Sequence, residues 1–61
     1  MKLYNVLLAV DKNQWISIID EFGYRLFRGC REGVLESIPD LEVTEIASVS
    51  DVLIIEVRKC V

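Results

Sequence analysis

Trp15 to Gly29 read WISIIDEFGYRLFRG, and this stretch decides the fold. Asp20-Glu21-Phe22-Gly23 carries a turn. An aspartate at the first position can accept hydrogen bonds from backbone N–H groups further along, and a glycine at the fourth takes the left-handed conformation at little cost. Ile16 and Ile18 precede the turn on one face of a strand, with Trp15, Ser17 and Ile19 on the other. After the turn, Tyr24 and Leu26 share a face; Arg25, Phe27 and Arg28 supply the other face and the strand end. The β-branched and aromatic content suits a pleated, half-buried surface, so residues 14–28 are predicted to form a β-hairpin.

Working outward, Leu3, Val6, Leu7 and Val10 recur at i, i+3, i+4 and i+7, a helical stripe. Residues 3–10 are expected to form a short helix, with a strand as the competing reading. The stretch lacks the charged face of an interfacial membrane helix and is too short for a span. After Gly29, the residues Val34, Leu35 and Ile38 lie on one helical face, with Arg31 and Glu32 in the first turn. Gly33 weakens this helix by about 1 kcal/mol relative to alanine, and Pro39 ends it, because the residue before a proline avoids the helical region. Leu41 to Val49 is a strand whose pattern slips between Val43 and Ile46, which a bulge near Glu45 would reconcile. Ser48-Val49-Ser50-Asp51 is a second turn region. Val52 to Arg58, VLIIEVR, is apolar on both faces, as expected of a central strand or one covered by a partner.

The resulting order is α-β-β-α-β-β: a single small α+β domain over residues 1–61, with an antiparallel sheet of about four strands from two hairpins and two short helices on one face. The other face would hold some of Trp15, Ile19, Phe27, Val52 and Ile54, too apolar to leave wet.

Sixty-one residues bury a modest core, and chains of this size add disulfides, a metal or a partner. Two cysteines, Cys30 and Cys60, make no disulfide framework. With no histidine and no CxxC spacing, no metal site and no cofactor are expected. A second copy of the chain is the simplest remaining partner, and a hydrophobic fraction of 52% agrees with buried subunit contacts. The net charge of −3 gives no basic face for duplex nucleic acid. No leader segment or membrane span is expected, which points to the cytoplasm and to reduced cysteines.

The run Ile16 to Gly29, read as I-x-I-x-D-x-x-G-x-x-L-F-x-G, together with Leu35, Val43, Ile46 and Leu53-Ile54-Ile55, resembles very small uncharacterised proteins of bacterial phages and prophages. The likeness spans about Leu3 to Val57. Ile19 stands where many of those proteins carry an aromatic residue before the aspartate. The resemblance implies a hairpin, a short helix and a final hairpin, in a setting where small proteins act as counter-defence factors. Some such proteins are homo-oligomeric sponges for cyclic nucleotide or cyclic ADP-ribose signals; others occupy a host protein. It implies no functional residue.

Catalysis has no visible machinery: no histidine, no nucleophile elbow and no glycine-rich phosphate loop. A chain this small rarely encloses the ~300 Å³ of an active-site pocket. Cys30, beside Arg31 at a helix start, could be an activated thiol, but a small buried hydrophobe is the more ordinary role. The remaining candidates are Trp15, Tyr24, Arg25, Phe27, Arg28 and Arg31. Aromatic rings stack on bases and arginine forks hold phosphates, so these six are the expected site for a nucleotide-derived signal near a dimer interface. The plainer alternative is that the rings are packing residues and the arginines pair with acids such as Glu32 and Glu36. A protein–protein inhibitor acting through an acidic surface, or an accessory protein with no ligand, are the other expected functions.

Overall fold

The structure is a computed structural model and describes residues 1–58. Its elements are α1 (Leu3–Ala9), β1 (Trp15–Ile19), β2 (Arg25–Gly29), α2 (Arg31–Ser37), β3 (Glu42–Val49) and β4 (Val52–Arg58). The order α-β-β-α-β-β is as expected, and residues 3–9 are helix rather than strand.

Each boundary has a local cause. In the first hairpin, Asp20 accepts the N–H groups of Phe22 and Tyr24 on one carboxylate oxygen, both at 2.9 Å. Gly23 takes φ +85°. α1 ends where Val10 turns extended, and Asp11 then folds the connection by accepting the Asn13 N–H at 2.8 Å. α2 stops at Ile38, held extended at φ −117° before Pro39. The last turn is Ser50-Asp51, both at positive φ (47° and 67°), between the paired residues Val49 and Val52. That is the mirror-image turn whose twist matches a hairpin.

The sheet runs β2-β1-β4-β3. The two hairpins are antiparallel, but the inner strands β1 and β4 are parallel, pairing Ile16 with Leu53 and Ile18 with Ile55. The expected antiparallel sheet is therefore mixed. The reason is the α2 crossover. It returns the chain to the end from which β2 started, so β3 runs parallel to β2, and β4, folding back on β3, must run parallel to β1. β4 is a central strand, as its two apolar faces required. The expected bulge in β3 lies between Val43 and Glu45, which puts Val43 opposite Val57 and Ile46 opposite Ile55 on one face.

All of the core lies on the helix side of the sheet. Leu3, Leu7, Ile16, Ile18, Val34, Ile55 and Val57 are fully buried there, with Val6 close behind. Leu3 and Tyr4 fasten α1 to the segment after α2: the Leu3 N–H donates to the Leu41 carbonyl at 2.8 Å, and the Tyr4 hydroxyl donates to the Ile38 carbonyl at 2.8 Å.

Phe27 belongs to this side too, not to the outer face. A second register shift, between Ile18 and Ile19, leaves Leu26 without a partner and sets Phe27 opposite Ile18. Its ring lies against Gly29 and Gly33. A Cβ at Gly33 would come within 2.8 Å of the ring and one at Gly29 within 2.9 Å, closer than van der Waals contact allows. Gly33 is thus the recess that seats Phe27 against α2, and the loss in helix propensity is offset there. We expect Gly33→Ala to lower stability by about 1–2 kcal/mol through overpacking. In a Phe27→Leu background the same change should be neutral or stabilising, because only the propensity gain remains. Denaturant midpoints of the four proteins measure this coupling.

Candidate functional site

The uncovered face of the sheet is ordered in three rows that follow from strand register. Val49, Val52 and Trp15 form the first. Ala47, Ile54, Ser17 and Arg28 form the second, and Glu45, Glu56, Ile19 and Arg25 the third. None of these residues packs into the core cluster. Trp15 is 46% and Val49 55% exposed, while Ser17, at the middle, is only 7% exposed beneath its larger neighbours. Within these three rows charge divides across the face: Arg25 and Arg28 stand on the β2 edge, and Glu45 and Glu56 on the β3–β4 side; Arg58 continues the open face of β4 beyond the third row.

The structure brings three of the six expected site residues together on this face. The Arg28 guanidinium lies 5.9 Å from the centre of the Trp15 ring, a cation–π distance, and Arg25 stands one row away. Among the described residues no ion pair engages Arg25 or Arg28. The other three lie elsewhere. Tyr24 precedes β2 and is exposed at the turn. Phe27 is across the sheet, against α2. Arg31 also lies on the helix side, where it donates to the Val10 carbonyl at 3.0 Å and to Glu32 at 3.2 Å. That guanidinium bridges the end of α1 to the start of α2. The six side chains therefore do not converge on one cradle.

Cys30 is exposed, which corrects the expectation of a buried thiol. It occupies the extended position just before α2 (φ −88°, ψ 170°) rather than the helix's apolar stripe. Cys60 lies outside the described residues. Among the described residues, no group of three or more His, Cys, Asp and Glu side chains is arranged to hold a metal ion, and no helix is long and apolar enough to cross a membrane.

A groove of about 920 Å³ opens on the helix side, at the end of the sheet, between the Asp20–Gly23 turn and the connection from α2 to β3. Leu26, Ile38, Pro39, Leu41 and Val57 make its apolar lining, with Phe22 exposed at the rim. The bulge that leaves Leu26 unpaired is what frees this side chain to line the groove. Among the described residues, the charged side chains on the groove are Asp20, Glu21 and Asp40, with no lysine or arginine beside them. Asp20 serves the turn and Asp40 accepts the Tyr4 N–H at 2.8 Å, so Glu21 is the acid with no structural bond of its own. Just beyond Leu41, Glu42 has its carboxyl held below the ordinary glutamate range, first by a hydrogen bond from the Met1 ammonium at 2.9 Å and by that group's charge.

No protein-family model matches the chain, and no curated protein or solved structure matches it.

The position of Arg31 assigns it to the fold. We expect Arg31→Ala to lower unfolding free energy by about 1–2 kcal/mol, the worth of a partly buried charged hydrogen bond. Arg25→Ala and Arg28→Ala, on the open face, should leave the stability of the isolated chain within about 0.5 kcal/mol. Chemical denaturation at low protein concentration separates the two groups.

Proposed function

We propose that this protein is a non-enzymatic binding protein that acts by occupying a basic, partly apolar segment of another protein. The observation that supports this reading is the groove: its lining is mostly apolar and, among the described residues, its charged side chains are all acids, of which Glu21 makes no bond within the fold. Such a site repels the phosphates of a nucleotide and suits an extended or helical segment with alternating basic and apolar side chains. The hairpin resembles that of small uncharacterised phage and prophage proteins, and the counter-defence setting this implies fits the same mode of action, in which a small protein inhibits a host defence protein by covering a functional surface.

A second reading, sequestration of a cyclic nucleotide or cyclic ADP-ribose signal, draws on one observation. Arg28 over Trp15, with Arg25 nearby, offers a stacking ring and unpaired cations. It is the weaker reading, because Phe27 and Arg31 are absent from that face and Glu45 and Glu56 share it.

Titration of the full chain with a fluorescein-labelled peptide of alternating Arg and Leu residues tests the first reading. Saturable binding that weakens with salt and falls at least about fivefold in Glu21→Lys is the expected result. An acidic peptide of the same pattern should not bind. Equal binding by Glu21→Lys, or no binding at all, would overturn the proposal. Saturable binding of a cyclic dinucleotide that is lost in Arg28→Ala would replace it with the second reading.

A further inference from the structure

The open face carries a pattern that a single chain does not use. Six of its residues are apolar: Trp15 and Ile19 on β1, Val52 and Ile54 on β4, and Ala47 and Val49 on the edge strand β3. Glu45 and Glu56 stand directly opposite each other on neighbouring strands. Like charges in that position repel. Among the described residues no basic side chain forms an ion pair with either; the polar partner of Glu56 is the Thr44 hydroxyl, which donates to it at 2.6 Å. In the same row, at the opposite edge, Arg25 likewise forms no ion pair among the described residues.

The geometry points to a symmetric dimer in which two copies of this chain pack these faces together, about a two-fold axis running along the strands between β1 and β4. Such an axis exchanges each β2 with the partner's β3 and each β1 with the partner's β4, and it keeps every residue in its row. Arg25 then meets the partner's Glu45, and Trp15 meets the partner's Val52. Ile54 meets the partner's Ser17, a large side chain above a small one, and symmetry repeats each contact. An axis across the strands instead stacks each edge on its own copy, arginines near arginines and acids near acids. Charge therefore selects the first arrangement, which is also the aligned packing that two twisted sheets favour.

Four strands and three rows of side chains span roughly 20 Å by 20 Å, a footprint of about 400 Å² per copy, which suits a small interface that forms in a concentration-dependent way. The groove lies on the other side of the sheet, so dimerisation leaves both grooves open and makes the unit bivalent. The dimer and the groove reading stand independently: either can fail without the other.

Sedimentation equilibrium of the full chain tests the inference with three variants: Arg25→Glu, Glu45→Arg and the double variant. The wild-type protein should sediment as a concentration-dependent dimer. Each single variant should raise the dimer Kd at least about tenfold, through two symmetric like-charge contacts. The double variant should return to near the wild-type value. Mixing the two single variants should give a heterodimer, since both of its contacts are then complementary. Circular dichroism matching the wild type shows that the singles remain folded. A wild-type protein that stays monomeric at millimolar concentration, single variants that dimerise like the wild type, or charge changes that fail to rescue each other would overturn it.

Discussion

The parallel pairing of β1 with β4 is the constraint on which the rest of the molecule depends. It joins the two hairpins through Ile16–Leu53 and Ile18–Ile55, and these residues face the helices. α2 crosses from one edge of the sheet to the other over the face on which α1 also packs, so both helices lie on the same side. The core of Leu3, Leu7, Val34, Ile16, Ile18, Ile55 and Val57 is therefore one-sided. Among the described residues no element packs on the second face. What remains there is not polar, as it would be on a free antiparallel sheet, but a row of branched and aromatic side chains between two charged edges.

This one-sidedness gives the protein two surfaces with different chemistry. The helix side ends in an apolar groove with acids at its charged positions. The open side is largely apolar, and across its three rows the arginines lie on the β2 edge and the carboxylates on the β3–β4 side. The sheet separates the two surfaces, so the proposed occupant of the groove and the proposed second copy on the face would not compete. Arg31 and Gly33, both on α2, serve the fold: one ties the end of α1 to the start of α2, and the other seats Phe27.

Much of this was legible in the residues. The Asp20–Gly23 turn, the stop at Pro39, the two apolar faces of β4 and the bulge before Glu45 are all short-range effects, and each appears where local chemistry demands it. The parallel joint was not legible, because it follows from where the crossover helix lands rather than from any strand's own pattern. Phe27 was misplaced for a related reason. Simple alternation holds only while the register is unbroken, and the shift at Ile19 changes which side Phe27 occupies. The candidate site was half visible: Trp15, Arg25 and Arg28 do share a face, while Arg31 is spent on a backbone carbonyl. The groove went unseen because its lining comes from three separate parts of the chain, around Asp20 to Leu26, Ile38 to Leu41, and Val57. Cys30 shows how a single step matters, since the position before α2 is exposed and the helix's inner stripe begins only at Val34.

The claim that the open face is covered by a second copy can be put to the molecule's one tryptophan. Trp15 sits at the edge of that face, half exposed in the single chain. Its emission maximum and its quenching by acrylamide, followed as the protein is concentrated, report directly on whether the face closes. The account predicts a blue shift and reduced quenching that track dimer formation. Emission that stays that of a solvent-exposed indole at every concentration would contradict it.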